Sequence, residues 1–312
     1  MGLRHPISIT LSVSAICLAA PSATAGSPSQ SLYALTTAGQ LVTLDPASAV
    51  PTIVRVPLPA PFTSCDSLEY VDGWFYASYA GGKVVRFGFS CGDQVDLGPS
   101  GFPALEAIAR RGDGVTFASV SFNNDFGAEA VGTFNPANGH VTGAVASGNQ
   151  SQVFDIDAMA FAPDNSLRVI NLSNPLVLAT FDVTTGAISN VHPVTLLYAG
   201  AVFTLDGSAI YGSTIGTGAC AGISNLVSIA PATGAETLIG STGLNCIVGL
   251  TWGPPAPAGI ADLNHDGLVN GADLGILLAA WGTCPAGACP ADLNCDGKVD
   301  GGDLGVLLAQ WT

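Results

Sequence analysis

Short runs of apolar residues are separated by short polar or turn-forming segments through most of the chain. Between residues 31 and 252, brief runs of Val, Ile, Leu, Phe and Tyr are interrupted by Gly, Asn, Asp and Pro. No segment of this region sustains the periodicity of an amphipathic helix. Short runs of strand-forming residues bounded by turn-forming residues are typical of β-strands. The pattern predicts that residues 26–252 form a domain built mainly of β-strands.

A turn motif recurs along this region and indicates a repeated unit. The turns begin at intervals of roughly 44 to 48 residues, which is the length of one four-stranded propeller blade. Most units also contain an Asp-Gly or Asp-Asn pair, which marks a tight hairpin. The sequence thus predicts a five-bladed β-propeller, with six blades as an alternative count and a β-sandwich or barrel as an alternative fold. The five turns begin at Asp45, Cys91, Asn135, Asp182 and Ala230.

The two ends of the repeat are each incomplete. The first unit starts at Ser31 without the strand that opens the other units, and the apolar run 247–252 has no following partner. We predict that the two segments join in one blade, because this pairing removes free strand edges. The blade pattern resembles bacterial β-propellers with Thr-Gly turns, such as the quinoprotein-like and lactonase-like families. The resemblance implies an architecture and no particular function.

Residues 1–25 have the features of a secretory signal peptide. Arg4 precedes a mostly apolar stretch, residues 7–20, and Ala23 and Ala25 provide small residues at the cleavage site. The stretch is shorter than a membrane span requires. We therefore expect a secreted protein that is extracellular, associated with the cell surface or periplasmic. At the other end of the propeller, the Pro-rich residues 253–260 predict a stiff linker.

Two nearly identical segments follow the linker. Residues 261–281 recur as residues 291–311, and each copy holds a twelve-residue loop with oxygen-bearing side chains at positions 1, 3, 5, 9 and 12 and Gly at position 6. Position 7 would contribute its backbone carbonyl oxygen. An irregular shell of oxygen ligands suits Ca²⁺ better than Mg²⁺, so we predict two Ca²⁺ ions. The alternative is a pair of Asx turns that cap helices without metal. The predicted ligands are Asp262, Asn264, Asp266, Leu268, Asn270 and Asp273 in the first loop, and Asp292, Asn294, Asp296, Lys298, Asp300 and Asp303 in the second.

A helix with one apolar face is predicted after each loop. The apolar positions recur with the spacing i, i+3, i+4 and i+7, so the two faces are expected to pack together. Val269 and Val299, at position 8 of the loops, are expected to pair the loops back to back. The predicted faces consist of Leu274, Leu277, Leu278 and Trp281 after the first loop, and Leu304, Leu307, Leu308 and Trp311 after the second.

No helix is predicted before either loop, which distinguishes the segment from an ordinary EF-hand. The duplicated loop-helix motif, with Asp at position 12, resembles a type I dockerin over residues 261–312. The resemblance implies a small all-α, EF-hand-like domain, a cohesin-like or other exported partner, and a role in extracellular polysaccharide breakdown. Loop positions 10 and 11, which usually carry hydroxyl groups in dockerins, are Gly271-Ala272 and Gly301-Gly302 here. A calcium-clamped tag for a different partner is therefore the alternative.

Charge and cysteine content narrow the class of protein. Acidic residues outnumber basic ones 23 to 8, which gives a formal net charge of −15 and disfavours nucleic acid and anionic lipid as partners. An exported chain is expected to form disulfides. Because close neighbours in sequence are the simplest partners, we predict Cys65 with Cys91, Cys220 with Cys246 and Cys284 with Cys289, which leaves Cys295 unpaired.

Candidate catalytic residues are few. The sequence contains no nucleophile elbow, zinc-protease helix or phosphate-binding Gly loop. Asp66, Glu106 and Asp157 occupy similar places near the innermost strands of three predicted blades, where they could line the central channel and hold an ion or a sugar hydroxyl. We favour a binding protein with a possible carbohydrate ligand for the propeller. The alternative is a carbohydrate-active or lactonase-like hydrolase that uses these three acids.

Overall fold

The computed structural model describes residues 30–62, 64–122, 129–149, 153, 155–215, 222–257, 259–285 and 287–312. The predicted signal peptide, residues 1–25, lies outside these ranges. Nearly half of the described residues lie in short β-strands, and helices are confined to the part after residue 270. The prediction of a mainly β-protein is therefore confirmed.

The strands follow one another in groups along the chain. The first group is β1 (Ser31–Thr36), β2 (Leu41–Leu44) and β3 (Pro51–Arg55), and the second is β4 (Glu69–Val71), β5 (Trp74–Tyr79), β6 (Lys83–Phe87) and β7 (Val95–Pro99). The third is β8 (Ala104–Arg110), β9 (Thr116–Ser121), β10 (Glu129–Phe134) and β11 (Val141–Ala146), and the fourth is β12 (Ile156–Phe161), β13 (Leu167–Asn171), β14 (Val177–Phe181) and β15 (Ile188–Pro193). The fifth is β16 (Tyr198–Phe203), β17 (Ile210–Thr214), β18 (Ile223–Ile229) and β19 (Glu236–Asn245), and it is followed by β20 (Ile247–Gly253).

These strands form the blades of a five-bladed β-propeller. Blade 1 has the order β20-β1-β2-β3, and blades 2 to 5 are the second to fifth groups, each a four-stranded antiparallel sheet. The strands β20, β4, β8, β12 and β16 are innermost, because each of them contacts the equivalent strand of the next blade. The described residues thus contain five blades, which confirms the predicted architecture and decides against six.

Blade 1 closes the ring by joining the two ends of the propeller. Strand β1 pairs antiparallel with β20, and Leu32 lies opposite Trp252 and Tyr33 opposite Thr251. The predicted union of these segments is confirmed. Its physical effect is to pair the backbone N–H and C=O groups that would otherwise be exposed at the edge of each segment.

The hydrophobic core lies between neighbouring blades. Tyr33 of blade 1 packs against Phe75 of blade 2 with 4.9 Å between ring centroids, and Tyr76 of blade 2 packs against Phe134 of blade 3 at 5.7 Å. Both faces of each blade are covered, so a strand in the middle of a sheet, such as β5, is buried along most of its length. This explains why the strands read as continuous apolar runs rather than as strict alternation.

The recurring turn also packs one blade against the next. Gly186 follows the turn between β14 and β15 and has φ of +73°, and a Cβ atom there would lie 2.1 Å from the carbonyl oxygen of Ala146 in the preceding blade. Only Gly satisfies both requirements, since a side chain would be strained and would clash. The repeat therefore reflects contacts between blades as well as the local turn.

The part of the chain after residue 260 contains two short helices and a small ribbon. Helix α1 spans Gly271–Ala279 and is followed by β21 (Gly282–Thr283), β22 (Lys298–Val299) and helix α2 (Gly301–Ala309). The β21–β22 ribbon was not predicted by the sequence. Among the described residues, no helix has the length and apolar content that a membrane span requires.

The predicted apolar faces of these helices are only half correct. Leu277 and Leu307 are fully buried, and Leu274 and Leu304 pack at the edge of the same core. The last two members of each face are exposed. The inward side of each nine-residue helix is instead shared with Asp273 or Asp303, which is buried one turn before the leucine. The exposed members are Leu278, Trp281, Leu308 and Trp311.

Candidate calcium loops and acidic channel entrance

The first predicted calcium loop, residues 262–273, is closed by its two terminal aspartates. Asp262 accepts hydrogen bonds from the backbone N–H groups of Asp266 at 3.1 Å and Gly267 at 3.0 Å. Asp273 accepts from the N–H groups of Leu263 at 2.8 Å, Asn264 at 3.2 Å and Asn270 at 2.9 Å. The carboxylates at positions 1 and 12 thus draw the loop into a ring.

The second loop, residues 292–303, repeats this arrangement. Asp292 accepts from the N–H groups of Asp296 at 3.1 Å and Gly297 at 2.9 Å. Asp303 accepts from the N–H groups of Leu293 at 2.7 Å, Asn294 at 3.2 Å and Asp300 at 2.7 Å. Positions 4 and 6 have positive φ in both loops, at His265 and Gly267 and again at Cys295 and Gly297. The predicted sharp turn at position 6 therefore occurs in both copies.

The side chains at positions 3, 5 and 9 complete each set of oxygen atoms. Asn264 and Asp266 are exposed, and Asn270 caps helix α1 by accepting from the N–H of Ala272 at 2.8 Å. Asp300 caps α2 through the N–H of Gly302 at the same distance. The helix caps expected of Asx turns are therefore present, and they leave further lone pairs on the same oxygen atoms.

Negative charge is concentrated and buried in this part of the chain. Residues 261–312 contain seven aspartates and one lysine, a formal charge of −6. Asp273 and Asp303 are 0% exposed and Asp292 is 3% exposed. Burial raises the pKa of Asp273, but hydrogen bonds from the N–H groups of Asn270, Asn264 and Leu263 outweigh it and lower the pKa below the usual value. Asp273 is therefore ionised at neutral pH. The ion pairs between described residues all lie in the propeller, so they do not compensate the carboxylates of this part of the chain.

The two loop-helix units are joined crosswise. Val299 of the second loop pairs with Gly282, which follows α1. Val269 of the first loop accepts a hydrogen bond from the backbone N–H of Thr312, which follows α2, at 3.0 Å. The predicted direct pairing of the two loops through Val269 and Val299 is therefore wrong. Each valine is instead paired with the residue after the opposite helix, and both valines are buried in one core.

One disulfide connects the propeller to the second loop. Cys91 is bonded to Cys295, with 5.6 Å between the Cα atoms. The predictions that Cys91 pairs with Cys65 and that Cys295 is unpaired are therefore wrong. Cys65 is a free thiol, fully buried among apolar side chains, and burial followed by the charge of Asp66 raises its pKa to about 12. Proximity in sequence failed because the link depends on how the C-terminal part packs against blade 2.

The remaining cysteines agree with the prediction as far as they are described. Cys284 is bonded to Cys289, as predicted. Their sulfur atoms lie near the carboxylate of Asp292, but because both sulfurs are in a disulfide they are not available as metal ligands. Cys246 is also in a disulfide. Its predicted partner, Cys220, lies outside the described residues.

A buried arginine shapes the connection that carries Cys91. Arg55 is 1% exposed, pairs with Asp93 at 2.9 Å and donates to Gln94 at 3.0 Å. Its guanidinium also donates to the carbonyl oxygens of Gly88 and Ser90. The connection between β6 and β7 is therefore fixed to blade 1. The C-terminal part of the chain contacts the same connection, because the backbone N–H of Cys289 donates a hydrogen bond to the carbonyl oxygen of Cys91 at 3.0 Å.

Two of the three predicted channel residues lie at bulges of the innermost strands, and the third precedes such a strand. Glu106 is the unmatched residue between the Leu105–Val120 and Ala107–Ser119 pairs of blade 3. Asp157 is unmatched in the same way between Ile156 and Ala158 of blade 4. Asp66 lies in the corresponding stretch of blade 2, between the Cys65–Tyr79 bridge and β4. Bulges turn a side chain away from the regular alternation of a strand, which places these acids at one end of the channel.

Two of these three acids belong to a close carboxylate cluster. Oxygen atoms of Glu106, Asp155 and Asp157 all lie within 4.8 Å of one another. Asp66 is not a member of this group. Asp155 was missed by the sequence analysis, although its spacing of two residues from Asp157 is the spacing that puts strand side chains on one face. We refer to Glu106, Asp155 and Asp157 as the entrance cluster.

A fourth acid, Glu129, lies beside the entrance cluster. It is 1% exposed, and its Oε2 atom has no hydrogen-bond partner among the described residues. Burial, followed by the charges of Asp157 and Asp155, raises the pKa of Glu129 well above its ordinary value. No local sequence pattern marks this residue, because its position depends on the pairing of β10 with Ser121 of β9.

The opposite end of the channel opens into a cavity of about 260 Å³. Phe161, Phe203 and Trp252 line it together with Arg110 and Glu69. Glu69 accepts hydrogen bonds from the hydroxyl of Thr251 at 3.0 Å and the N–H of Tyr70 at 3.1 Å, and burial raises its pKa to about 7. The channel therefore has an acidic end and an aromatic end.

Comparison with known proteins adds little to this description. No family model matches the chain, and no curated protein matches its sequence. The chain is similar in structure to a chain of a nidogen/laminin complex, with 11% identity, a TM-score of 0.46, and 73% of this chain and 99% of that chain covered. It is also similar to the extracellular domain of a B. thetaiotaomicron one-component system, with 11% identity, a TM-score of 0.39, and 69% and 28% covered. Likenesses this weak carry no argument about function.

Proposed function

We propose that the chain is an exported calcium-binding protein, in which residues 261–312 form a dockerin-like attachment module and the propeller is a binding domain. The observation that carries the proposal is the burial of carboxylates in two matching loops. Asp273, Asp292 and Asp303 are almost fully buried and accept hydrogen bonds from neutral backbone N–H groups, and a cation compensates buried carboxylates more fully than neutral donors do. Two Ca²⁺ ions would reduce the formal charge of the module from −6 to −2.

The donor set of each loop fits Ca²⁺. In the first loop, Asp262, Asn264, Asp266, Asn270 and Asp273 offer side-chain oxygens and Leu268 its backbone carbonyl. Oxygen-only shells with bound carboxylates are the preferred environment of Ca²⁺, which tolerates irregular geometry. The second loop offers Asp292, Asn294, Asp296, Asp300 and Asp303 in the same positions, with the carbonyl of Lys298.

The exposed apolar side chains of the module support its role in attachment. Trp281 is 49% exposed and Trp311 is 45% exposed. Large aromatic side chains left in solvent are common at protein-binding surfaces. We propose a cohesin-like or other exported protein as the partner, in an assembly that degrades extracellular polysaccharide. The glycines at loop position 10, Gly271 and Gly301, distinguish this surface from one that contacts its partner through hydroxyl groups.

A hydrolase with its site in the channel is the second candidate. The observation in its favour is the closeness of Glu106 and Asp157, which are expected to be a catalytic pair in that hypothesis. Glycosidases separate their two carboxyl groups by about 5 to 9.5 Å, to leave room for the sugar or for water. Oxygen atoms of Glu106 and Asp157 lie within 4.8 Å of each other, which is compatible with the shorter separation, about 5 to 5.5 Å between carboxyl groups, that retaining glycosidases use.

Amide hydrogen exchange of the full chain tests the proposed module. With Ca²⁺, we expect slow exchange in α1 and α2, and with excess chelator we expect fast exchange, because the repelling carboxylates would open the loops. The propeller strands β8 and β12 provide an internal reference for both helices. Equal protection of α1 and α2 in both conditions would contradict a metal-dependent module.

A further inference from the structure

The cavity at the aromatic end of the channel is built by the innermost strands of all five blades. Each of these strands contributes one large side chain to its wall, so the ring of blades directs five such side chains to one space. They are Glu69 from β4, Arg110 from β8, Phe161 from β12, Phe203 from β16 and Trp252 from β20. The calcium loops, which lie after residue 260, do not contribute to this wall.

The aromatic rings of the wall are held in place by neighbouring residues. The indole N–H of Trp252 donates to the carbonyl oxygen of Phe203 at 2.7 Å, and the indole packs against Tyr211 with 6.3 Å between ring centroids. Phe161 packs against Phe117 at 5.3 Å. Trp252 and Phe161 are nonetheless only half-buried. Because the indole N–H is already satisfied, Trp252 offers the cavity an apolar surface in a fixed position, which lowers the entropic cost of binding a ligand.

Glu69 and Arg110 place polar groups beside these rings. The carboxyl group of Glu69 is positioned by the hydroxyl of Thr251 at 3.0 Å and the N–H of Tyr70 at 3.1 Å. The Nη2 atom of Arg110 donates to Asp72 at 2.8 Å, and the Arg110 side chain is 34% exposed. A guanidinium carries five N–H donors, and this one makes no other hydrogen bond to the described residues. Donors therefore remain for acceptor atoms of a ligand.

The charge and size of the cavity restrict what it can bind. Asp72 balances the charge of Arg110, so a cation would meet the guanidinium and an anion would meet the carboxyl groups of Glu69 and Asp72. An uncharged ligand avoids both conflicts. The volume of about 260 Å³ is slightly below the range of about 300 to 1,000 Å³ that is usual for drug-sized ligands. A single small ring therefore fits better than a long chain.

We propose that the aromatic end of the channel binds an uncharged pyranose ring, with its C–H face on Trp252 and Phe161 and its hydroxyl groups on Arg110 and Glu69. A pyranose combines an apolar face with hydroxyl groups at its edge, whereas a purely aromatic ligand would leave the polar groups of the wall unpaired. The inference rests on the proposed role of the propeller as a binding domain and names the ligand class of that domain. It places the ligand at the end of the channel opposite the entrance cluster.

Calorimetric titration of the full chain in excess Ca²⁺ tests this site with defined probes. The probes are the methyl glycosides of glucose, galactose, mannose and xylose, with methyl glucuronide and methyl glucosaminide as charged counterparts and benzyl alcohol as an aromatic control. At least one uncharged glycoside is expected to bind with a millimolar dissociation constant, and its charged counterparts about tenfold more weakly. Saturation-transfer NMR should give the strongest signals at C–H protons of one ring face. The proposal is overturned if no uncharged glycoside binds in this range, or if benzyl alcohol binds more tightly than all of them.

Two pairs of variants locate the site. Trp252→Leu and Arg110→Gln are each expected to weaken glycoside binding about tenfold, whereas Trp74→Leu and Arg111→Gln, which lie outside the cavity, should leave it unchanged. Equal affinities of Arg110→Gln and Arg111→Gln would refute the site. If Trp252→Leu does not fold, the half-buried Arg110 and the NMR measurement on the unmodified protein decide.

The number of bound Ca²⁺ ions, measured on the same protein, tests the attachment module separately. Glycoside binding without Ca²⁺ binding would contradict the module alone. Ca²⁺ binding without glycoside binding would contradict the channel site alone.

Discussion

Removal of the Cys91–Cys295 disulfide should destabilise the protein more than removal of Cys284–Cys289. The first bond links residues 204 apart in sequence, and the second links residues 5 apart. A cross-link stabilises a fold mainly by restricting the unfolded chain, and the restriction grows with the length of chain that it closes. The comparison needs two double variants, Cys91→Ser/Cys295→Ser and Cys284→Ser/Cys289→Ser.

The expected magnitudes follow from the loop lengths. The chain-entropy relation gives about 5 kcal/mol for a separation of 204 residues and about 2 kcal/mol for a separation of 5 residues. With a urea m-value of about 3 kcal/mol/M, these losses shift the unfolding midpoint by about 1.7 M and about 0.7 M. The long cross-link should therefore have the larger effect.

Urea unfolding followed by tryptophan fluorescence measures both shifts. Trp281 and Trp311 report on the C-terminal module, and Trp74 and Trp252 report on the propeller. Both measurements are made in excess Ca²⁺, so that metal binding does not differ between variants. Equal shifts, or a larger shift for Cys284→Ser/Cys289→Ser, would refute the reasoning. Such a result would mean that native contacts at the interface, and not the restricted chain, determine the stability.

Three further predictions concern the propeller and the helices. Burial raises the pKa of Glu69 from 4.5 to about 7, so the folded state binds the proton of this carboxyl group more tightly than the unfolded state does. The free energy of unfolding should therefore fall by up to about 3 kcal/mol as pH rises from about 4.5 to 7. Glu69→Gln should flatten this part of the pH profile measured by denaturant unfolding. Gly186→Ala should lower stability by about 1 to 3 kcal/mol, because its Cβ would clash with Ala146, whereas Gly143→Ala, also at positive φ but in open space, should cost less in the same thermal melts. In urea titrations, Leu277→Ala should lower the free energy of unfolding by about 2 to 5 kcal/mol, because Leu277 is buried, and Leu278→Ala should lower it by less than about 0.5 kcal/mol, because Leu278 is exposed. Similar losses for the two variants would contradict the observed orientation of helix α1.

The propeller could be predicted because its signals are local and repeated. Four of the five turns have a residue with positive φ at the same place, namely Ala49, Gly139, Gly186 and Gly234. The incomplete first and last units likewise leave only one way to complete a blade. The same repeat predicts that Glu106 and Asp157 occupy similar places in neighbouring blades, and the structure shows each of them at a bulge of the innermost strand.

Contacts between distant segments could not be predicted in this way. The Cys91–Cys295 bond depends on the docking of the second loop against the β6–β7 connection, which Arg55 fixes from blade 1. The exposure of Trp281 depends on Asp273 taking the inward side of α1. Glu129 reaches the entrance cluster only through the pairing of β10 with β9. None of these features has a local sequence signal.

Calcium titration of the full chain tests the central claim most directly. Calorimetry on the unmodified protein, with Asp273→Asn, Asp303→Asn and the exposed Asp96→Asn as comparisons, counts the ions that depend on each loop. The account predicts that each position 12 variant loses one Ca²⁺ relative to the unmodified protein and that Asp96→Asn loses none. Unchanged stoichiometry and affinity in both position 12 variants would contradict it, because the position 12 carboxylates would then not be ligands of Ca²⁺.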